Sequence, residues 1–360
     1  MDFSKPDNAR KINTLKVLSA IRENECVTRA ELSRILGLNK VSISEIVSRL
    51  IKEGKVSEGG RKETDSGRPA TIIDIDSSSS VILGLNVEKK GAILVSSDLK
   101  GQIHRMERFP RGINDDAFLE NLRNSIERVT RNQNIERKAL SVVTDEDFSF
   151  LENAFEFPVI STLPIDAMIR AEEMRAGRPL ENMLFLSIGD RIQGAFRSNG
   201  HTHDIPTFGK MRISHGKKDI DGNEGTLDAF FSGYAFRNDA LRLFGREFTD
   251  REILTDGKAI TVVNDSLKAF ALSLSLAIEA TGAEGVMLLG TYSDIPDELY
   301  ARLNTMVQSA LSDKKKNTFI YKSLSLDKGR MEGACHMALD EFFYKTRLLD
   351  SLRRIENLDA

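Results

Sequence analysis

The stretch VTRAELSRILGLNKVSISEIVSRLIKEGKV, residues 27–56, reads as two short helices and the turn between them. Thr28 is placed to cap the first helix, and Glu31, three residues on, completes a capping box. Leu32, Ile35 and Leu36 supply its buried face. Gly37 ends it, because the turn calls for a left-handed backbone that glycine adopts at little cost. Asn39 then caps a second helix, with Val41, Ile43, Ile46, Val47, Leu50 and Ile51 predicted to face inward and Gly54 closing it. In length and pattern this is a helix-turn-helix.

Immediately upstream, Ile12, Leu15, Val17, Leu18 and Ile21 recur near helical spacing and predict an amphipathic helix over about 8–23. Downstream, a strand beginning at 56–58, the Gly-rich basic turn GGRKETDSGRPA and a returning strand at 71–75 make a wing. The second helix turns Lys40, Ser42, Ser44, Glu45, Ser48 and Arg49 outward. Short hydroxyl side chains let a helix approach DNA closely, Lys40 and Arg49 can reach phosphates, and Glu45 can accept from a cytosine amino group. Arg61 and Lys62 add phosphate contacts at the wing tip, and Arg68 of Gly67-Arg68-Pro69 is of the kind that enters a narrow A·T minor groove. Thr28 and Arg29, at the start of the first helix, complete the predicted DNA-binding set. The alternative for the second helix is a solvated face with no partner.

Composition supports this placement. Residues 1–70 hold 14 Lys/Arg against 10 Asp/Glu, a net of +4 in a chain of net −3, so the remainder carries −7. A basic head on an acidic body is expected if only the head approaches phosphate. At 360 residues the chain suits two or three domains. No stretch approaches about 18 uninterrupted apolar residues, and the N-terminus lacks the apolar core of a signal peptide. The two cysteines, Cys26 and Cys335, read as buried small hydrophobes in a reducing compartment, so the cytoplasm is predicted.

Residues 1–75 are therefore assigned to a winged helix-turn-helix and 76–80, the polar run Asp76-Ser77-Ser78-Ser79-Ser80, to a flexible linker. Beyond it, VILGLNVEKKGAILVSSDLKGQIHRMERF reads as three strands joined by tight turns. A helix near 115–131, a strand at 140–143, a helix near 147–156 and a strand at 158–161 follow, the alternation of an α/β domain. An apolar helix covers 269–278, and DEFFYKTRLLDSLRRIENL at the C-terminus has the spacing of an amphipathic helix.

The order of these pieces resembles the ROK family, which groups repressors with sugar kinases. The resemblance covers nearly the whole chain: the GRPA of the wing, Gly84 in a strand, and Asp98-Leu99-Lys100-Gly101 come first. Glu173-Met174-Arg175-Ala176-Gly177 is similar to the family's A-E-x-x-x-G helix end, and LFLSIGDRIQGAFRSNG, 184–200, to its second phosphate-loop region. Asp221-Gly222-Asn223-Glu224-Gly225-Thr226-Leu227-Asp228 resembles the C-G-x-x-G-C-L-E segment, 285–290 the late strand, and Gly333-Ala334-Cys335 the closing helix. The resemblance implies a body with the two-lobed ribonuclease-H-like fold of sugar kinases and actin. It places a first lobe at 81–180, a second at 181–329, and a C-terminal helix at 330–357 packing back on the first.

Departures from the family pattern fall on its chemistry. Where its kinases carry D-x-G-G-T for nucleotide phosphates, this chain has Asn86-Val87-Glu88-Lys89-Lys90. Asp190 and Arg191 replace small residues of the second phosphate loop. The general base of N-D-A-N falls on Ile165, with Asp166 one residue away. The zinc motif C-x-C-G-x-x-G-C has become Asp219-Ile220-Asp221-Gly222-Asn223-Glu224-Gly225-Thr226, its partner histidine falls on Ile213, and the sugar-contacting glutamate falls on Lys210. Neither zinc nor ATP is expected, and no catalytic residue is assigned. The residues retained as a candidate ligand cleft are Asp166, Gly189, Asp190, Lys210 and Asp228. His201, His203 and His215 beside Asp219 and Asp221 raise a metal alternative, and the Asp-rich run raises a calcium loop. The expected partners are double-stranded operator DNA, a second copy of the chain in a homodimer or higher homo-oligomer, and a sugar effector, with no membrane. A sugar kinase with an appended DNA-binding head is the competing reading.

Overall fold

The computed structural model describes residues 6–24, 26–63, 69–78, 80–88, 91–131, 135, 137–324 and 328–344. The chain divides into two units, residues 1–163 with 331–360 and residues 164–330. The cut falls at Leu163/Pro164, so the helix that the sequence reading put at the end of the first lobe belongs to the second unit.

The first unit opens with α1 (Pro6–Glu23), a two-residue strand β1 (Val27–Thr28), α2 (Arg29–Leu36) and α3 (Lys40–Lys52). The local signals act as expected. Thr28 and Glu31 form the capping box of α2, Gly37 ends it at φ 64°, and the Asn39 side chain accepts from the Ser42 N–H to cap α3. Two inward assignments were wrong: Val41 is 68% exposed and Ile35 48%. The strands β2 (Val56–Lys62) and β3 (Ala70–Ile75) make the wing, antiparallel, with a bulge between Glu58 and Arg61. Gly59 through Lys62, expected in the turn, are strand residues, with Arg61 opposite Thr71 and Lys62 opposite Ala70. The stretch 64–68, with Gly67 and Arg68, lies outside the described residues.

The segment 76–80 is not a loose linker. Asp76 N–H donates to Lys55 O at 2.9 Å, Ser77 Oγ accepts from Leu99 N–H at 3.2 Å, and Ser80 already starts a strand. That strand, β4 (Ser80–Glu88), leads into β5 (Gly91–Ser97), β6 (Ile103–Pro110), α4 (Asp115–Thr130), β7 (Arg137–Val143) and β8 (Val159–Thr162). The predicted helix near 147–156 is only a 3-10 turn at Ser149–Asn153. The sheet runs β6-β5-β4-β7-β8, its first three strands antiparallel and its last two joined in parallel. One face packs on α4 through Phe118, Leu122 and Ile126. The other shares a core with the head, in which Leu32, Ile43, Val47 and Leu50 join Ile82, Ile93, Val95 and Leu99.

The second unit comprises α5 (Pro164–Ala176), β9 (Met183–Ile188), β10 (Ile192–Ser198), β11 (His201–Ile205), α6 (Leu227–Phe230), α7 (Gly233–Phe244), α8 (Asp250–Thr255), α9 (Thr261–Thr281), β12 (Gly285–Leu289), α10 (Asp297–Ala310) and β13 (Phe319–Lys322). Its sheet, β11-β10-β9-β12-β13, repeats the first: an antiparallel meander followed by two parallel strands. This duplicated sheet is the ribonuclease-H-like body that the resemblance implied. α9 is long and apolar enough by composition to cross a membrane, but Val263, Leu267, Phe270 and Leu274 are buried in this unit's core. The chain then returns to the first unit through α11 (Gly329–Ala338), which continues as a wider turn over Leu339–Tyr344. Met331, Cys335, Ala338, Leu339 and Tyr344 fill the core shared by head and first sheet. The C-terminal segment beyond 344 lies outside the described residues. Cys335 is buried, and burial pushes its thiol up to about 12, whereas Cys26, expected buried, is exposed.

Candidate nucleic-acid interface and the charged site of the second unit

The head presents α3 on a frame of caps and ion pairs. Ile43, Ile46, Val47 and Leu50 anchor its inward stripe, which leaves Lys40, Ser44, Glu45, Ser48 and Arg49 exposed and Ser42 half-buried. Some of the predicted contact residues have other duties. Thr28 is buried, and its hydroxyl caps α2. Arg29 pairs with Glu58 of β2, and Arg49 donates to Thr14 Oγ1 of α1. Lys62 is not at the tip: its Nζ donates to Glu31 Oε1 at 2.7 Å and to Cys26 O at 3.3 Å, tying the wing to α2. The Lys62 hydrogen bond is the main cause holding the Glu31 carboxyl below its ordinary value. Arg61 is exposed. The outward face that remains open is therefore Lys40, Val41, Ser44, Glu45 and Ser48, with Arg61 on the wing. Val41 was missed because it was counted with the core, although its offset from Ile43 is not that of a shared helical face.

The head is also fastened to α11 and the turn that continues it. Arg22 Nη1 donates to Asp340 Oδ1 at 3.1 Å, Nη2 lies 3.1 Å from His336 Nδ1, and the guanidinium stacks 4.3 Å from the centre of the Tyr344 ring. Tyr344 OH donates to Leu99 O at 2.8 Å, and a side chain at Gly101 would collide with the His336 ring.

In the second unit, three of the five candidate cleft residues join charged clusters. Asp228 is buried at the start of α6, where its Oδ1 accepts from the Ile192 N–H at 2.7 Å. It is packed so closely that any side chain at Gly209 would overlap it. Lys210 Nζ lies 3.0 Å from Asp219 Oδ2 and 3.7 Å from Asp228 Oδ2, and it also pairs with Asp221, which Arg191 holds from the other side. Asp219 is the hub. Its Oδ1 accepts from the backbone N–H groups of Asp221 and Asn223, both at 2.9 Å, and its Oδ2 accepts from Thr226 Oγ1 at 3.0 Å. Burial alone would raise the Asp219 carboxyl, but the Lys210 ammonium, the Asn223 N–H and the Thr226 hydroxyl outweigh it and hold it at about 2. At Asp228 burial wins over the Ile192 N–H and Lys210, and its carboxyl is raised.

Asp190 does not stand as an isolated negative charge. It pairs with Arg237, which also holds Asp250, and Tyr292 OH donates to Asp250 Oδ1 at 2.8 Å. Gly189 O accepts from Gly233 N–H at 2.7 Å, joining the same loop to α7. Asp166 sits in the first turn of α5, whereas Ile165 beside it is buried. In the first unit, Asn86 is buried with Oδ1 unpartnered among the described residues, and its Nδ2 donates to Glu88 Oε1 at 3.1 Å. The histidines and aspartates weighed as a metal site do not converge: no grouping of three metal-binding side chains occurs among the described residues.

The ROK family model matches residues 101–341, and a winged helix-turn-helix DNA-binding model matches 10–57. The xylose repressor of Bacillus spizizenii is 26% identical over 263 residues, 64% of this chain and 68% of that protein. The xylose repressor of Bacillus subtilis is 30% identical over 103 residues, 29% of this chain and 27% of that one. Among solved structures, a ROK family transcriptional regulator described as a homolog of E. coli MLC protein superposes with a TM-score of 0.75 at 17% identity, covering 98% of this chain and all of that one. The ROK hexokinase of Thermus thermophilus gives 0.58 at 20% identity, covering 72% of this chain and 98% of the other.

Proposed function

The chain belongs to the ROK family, and from that premise we propose that it is a sequence-specific DNA-binding transcriptional repressor of a sugar-related operon whose kinase-like body transfers no phosphate. The observation that carries the reading is the outward face of α3, where exposed Lys40, Ser44, Glu45 and Ser48 stand on a capped, well-anchored helix beside a wing. Lys40 supplies phosphate attraction, Glu45 a base-edge acceptor, and the serines room for close approach. Arg61, and Arg68 outside the described residues, complete the DNA contacts on the wing.

Three observations support a body without kinase chemistry. Glu88 puts a carboxylate where the first glycine of the family's motif would receive a polyphosphate, and Asn86, which donates to it, replaces the motif's aspartate. The position of the general base is a buried isoleucine, Ile165. The family's zinc does not fit the donor set, because thiolates are replaced by Asp219, Asp221 and Thr226 around a resident ammonium, Lys210.

The remaining parts of the reading follow the needs of an operator-binding protein. A homodimer would present two copies of α3 to half-sites about one helical turn apart. Exposed Leu272 and Leu276 on α9 and Leu241 and Leu243 on α7 support self-association, and a cytoplasmic location goes with that role. A sugar effector acting through the second unit has a covalent route to the head: α11 begins where the chain leaves that unit, and its last turn grips α1 through Arg22. The test is a titration of the full chain with its own upstream intergenic DNA, with and without a panel of sugars and sugar phosphates. Specific binding released by one sugar is the expected result. Specific binding indifferent to all of them would remove the effector and leave a scaffold. Absence of specific binding, together with ATP turnover, would overturn the reading.

A further inference from the structure

The face of α3 that was read as polar carries one apolar side chain. Val41 is 68% exposed, whereas Ile43, Ile46, Val47 and Leu50 are buried and complete the inward stripe without it. At about 100° per residue Val41 stands roughly 200° round the helix from Ile43. Its neighbours on that face are Ser44, Glu45 and Ser48, three, four and seven positions on. The hydrophobic effect gives the fold little for Val41, because most of the side chain stays in water.

The major groove of DNA presents a single apolar group, the 5-methyl of thymine. We infer that Val41 packs on a thymine methyl and is a specificity-determining residue of the head, an inference that rests on the DNA-binding reading above. The side chain suits the task. It is branched at Cβ and therefore stiff, so its methyls are held in place before contact. It is short, and the small side chains of Ser42 and Ser44 permit the close approach that a short side chain needs. Lys40, exposed and one residue back, attracts a phosphate and so holds the first turn of the helix against the groove. Glu45, one turn along the same face, reads a neighbouring base edge, so Val41 and Glu45 divide an apolar and a polar contact between them.

The test removes the methyl and nothing else. The full chain is used to enrich a random duplex library, and the enriched sequence is resynthesised with each thymine singly replaced by deoxyuridine. At one thymine, or a symmetry-related pair, the replacement is expected to weaken wild-type binding about four-fold per methyl, the equivalent of one buried carbon. Val41→Ser, at an exposed position that leaves the fold intact, is expected to bind thymine and deoxyuridine equally there while its salt dependence stays that of the wild type. A wild type indifferent to deoxyuridine at every thymine, or a Val41→Ser variant that keeps the wild-type penalty, overturns the assignment while leaving DNA binding in place. Failure to enrich any sequence overturns both.

Discussion

On the outward face of α3, Lys40, Ser44, Glu45 and Ser48 are turned to solvent, while in the second unit Lys210, Arg191 and the carboxylates of Asp219, Asp221 and Asp228 are turned on one another. The residue types are similar and the consequences opposite. A solvated side chain contributes little to stability, so its hydrogen bonds and charge remain available to whatever docks. A side chain already paired inside the fold stabilises the loop that holds it, and a ligand must first displace the partner. The head is arranged to bind, and the loop around Asp219 is arranged to hold itself together. The family resemblance locates both regions, but only the pairing of the charges tells them apart.

The sharpest way to break this comparison is Asp219→Ala. The substitution removes the acceptor of Thr226 and of two backbone N–H groups at once, together with one of the three carboxylates that pair with Lys210. Loss of about 3 kcal/mol from the second unit is expected, the low end for breaking a buried pair because Lys210 is partly exposed. Denaturant unfolding, with hydrogen exchange over 212–226, reads the effect. A cost below about 1 kcal/mol would mean that this cluster is no more structural than the face of α3. Acid gives a graded version of the same experiment. A carboxyl held at about 2 instead of its ordinary 3.8 contributes stability that is fully present above pH 3.8 and disappears as pH falls through 2. The difference corresponds to about 2 kcal/mol. Asp219→Asn should therefore flatten the acid limb of the unfolding profile between those values, and an unchanged limb would remove Asp219 from the account.

How much of this was legible in the sequence depends on the range of the interaction that decides each feature. The helix-turn-helix is decided locally: the capping box of Thr28 and Glu31, the left-handed Gly37 and the Asn39 cap act within three or four residues of themselves, and each is found as read. The meander from Ser80 to Pro110 is likewise set by short apolar strands and by the tight turn at Asp98–Gly101. Features that depend on distant partners were not readable. Lys210 and Asp228 are separated by a long loop, Asp190 and Arg237 by two strands, that same loop and α6, and nothing in either spacing announces the pairing. The boundary at Leu163/Pro164 left no mark in composition, because α5 starts directly after β8. The polar run at 76–80 looked like a linker, yet Lys55 and Leu99, one on each side of it, bind it to the head and to the first sheet. Val41 was readable and was misread: an apolar residue beside an apolar stripe was counted into it, although its helical phase placed it opposite.

The smallest effect on stability, and the one that tests the other half of the comparison, belongs to Lys40→Ala. The side chain is exposed at the first position of α3, so unfolding should shift by no more than about 0.5 kcal/mol. If Lys40 meets a phosphate, its removal releases one fewer counterion on binding. Affinity then falls on every DNA sequence alike, and the slope of log affinity against log salt flattens by about one. A loss confined to particular base pairs would move Lys40 from the backbone to a base edge. An unchanged salt slope would mean that α3 lies against the duplex with its N-terminal turn lifted away, and the open face would then have to be sought further along the helix, around Ser48.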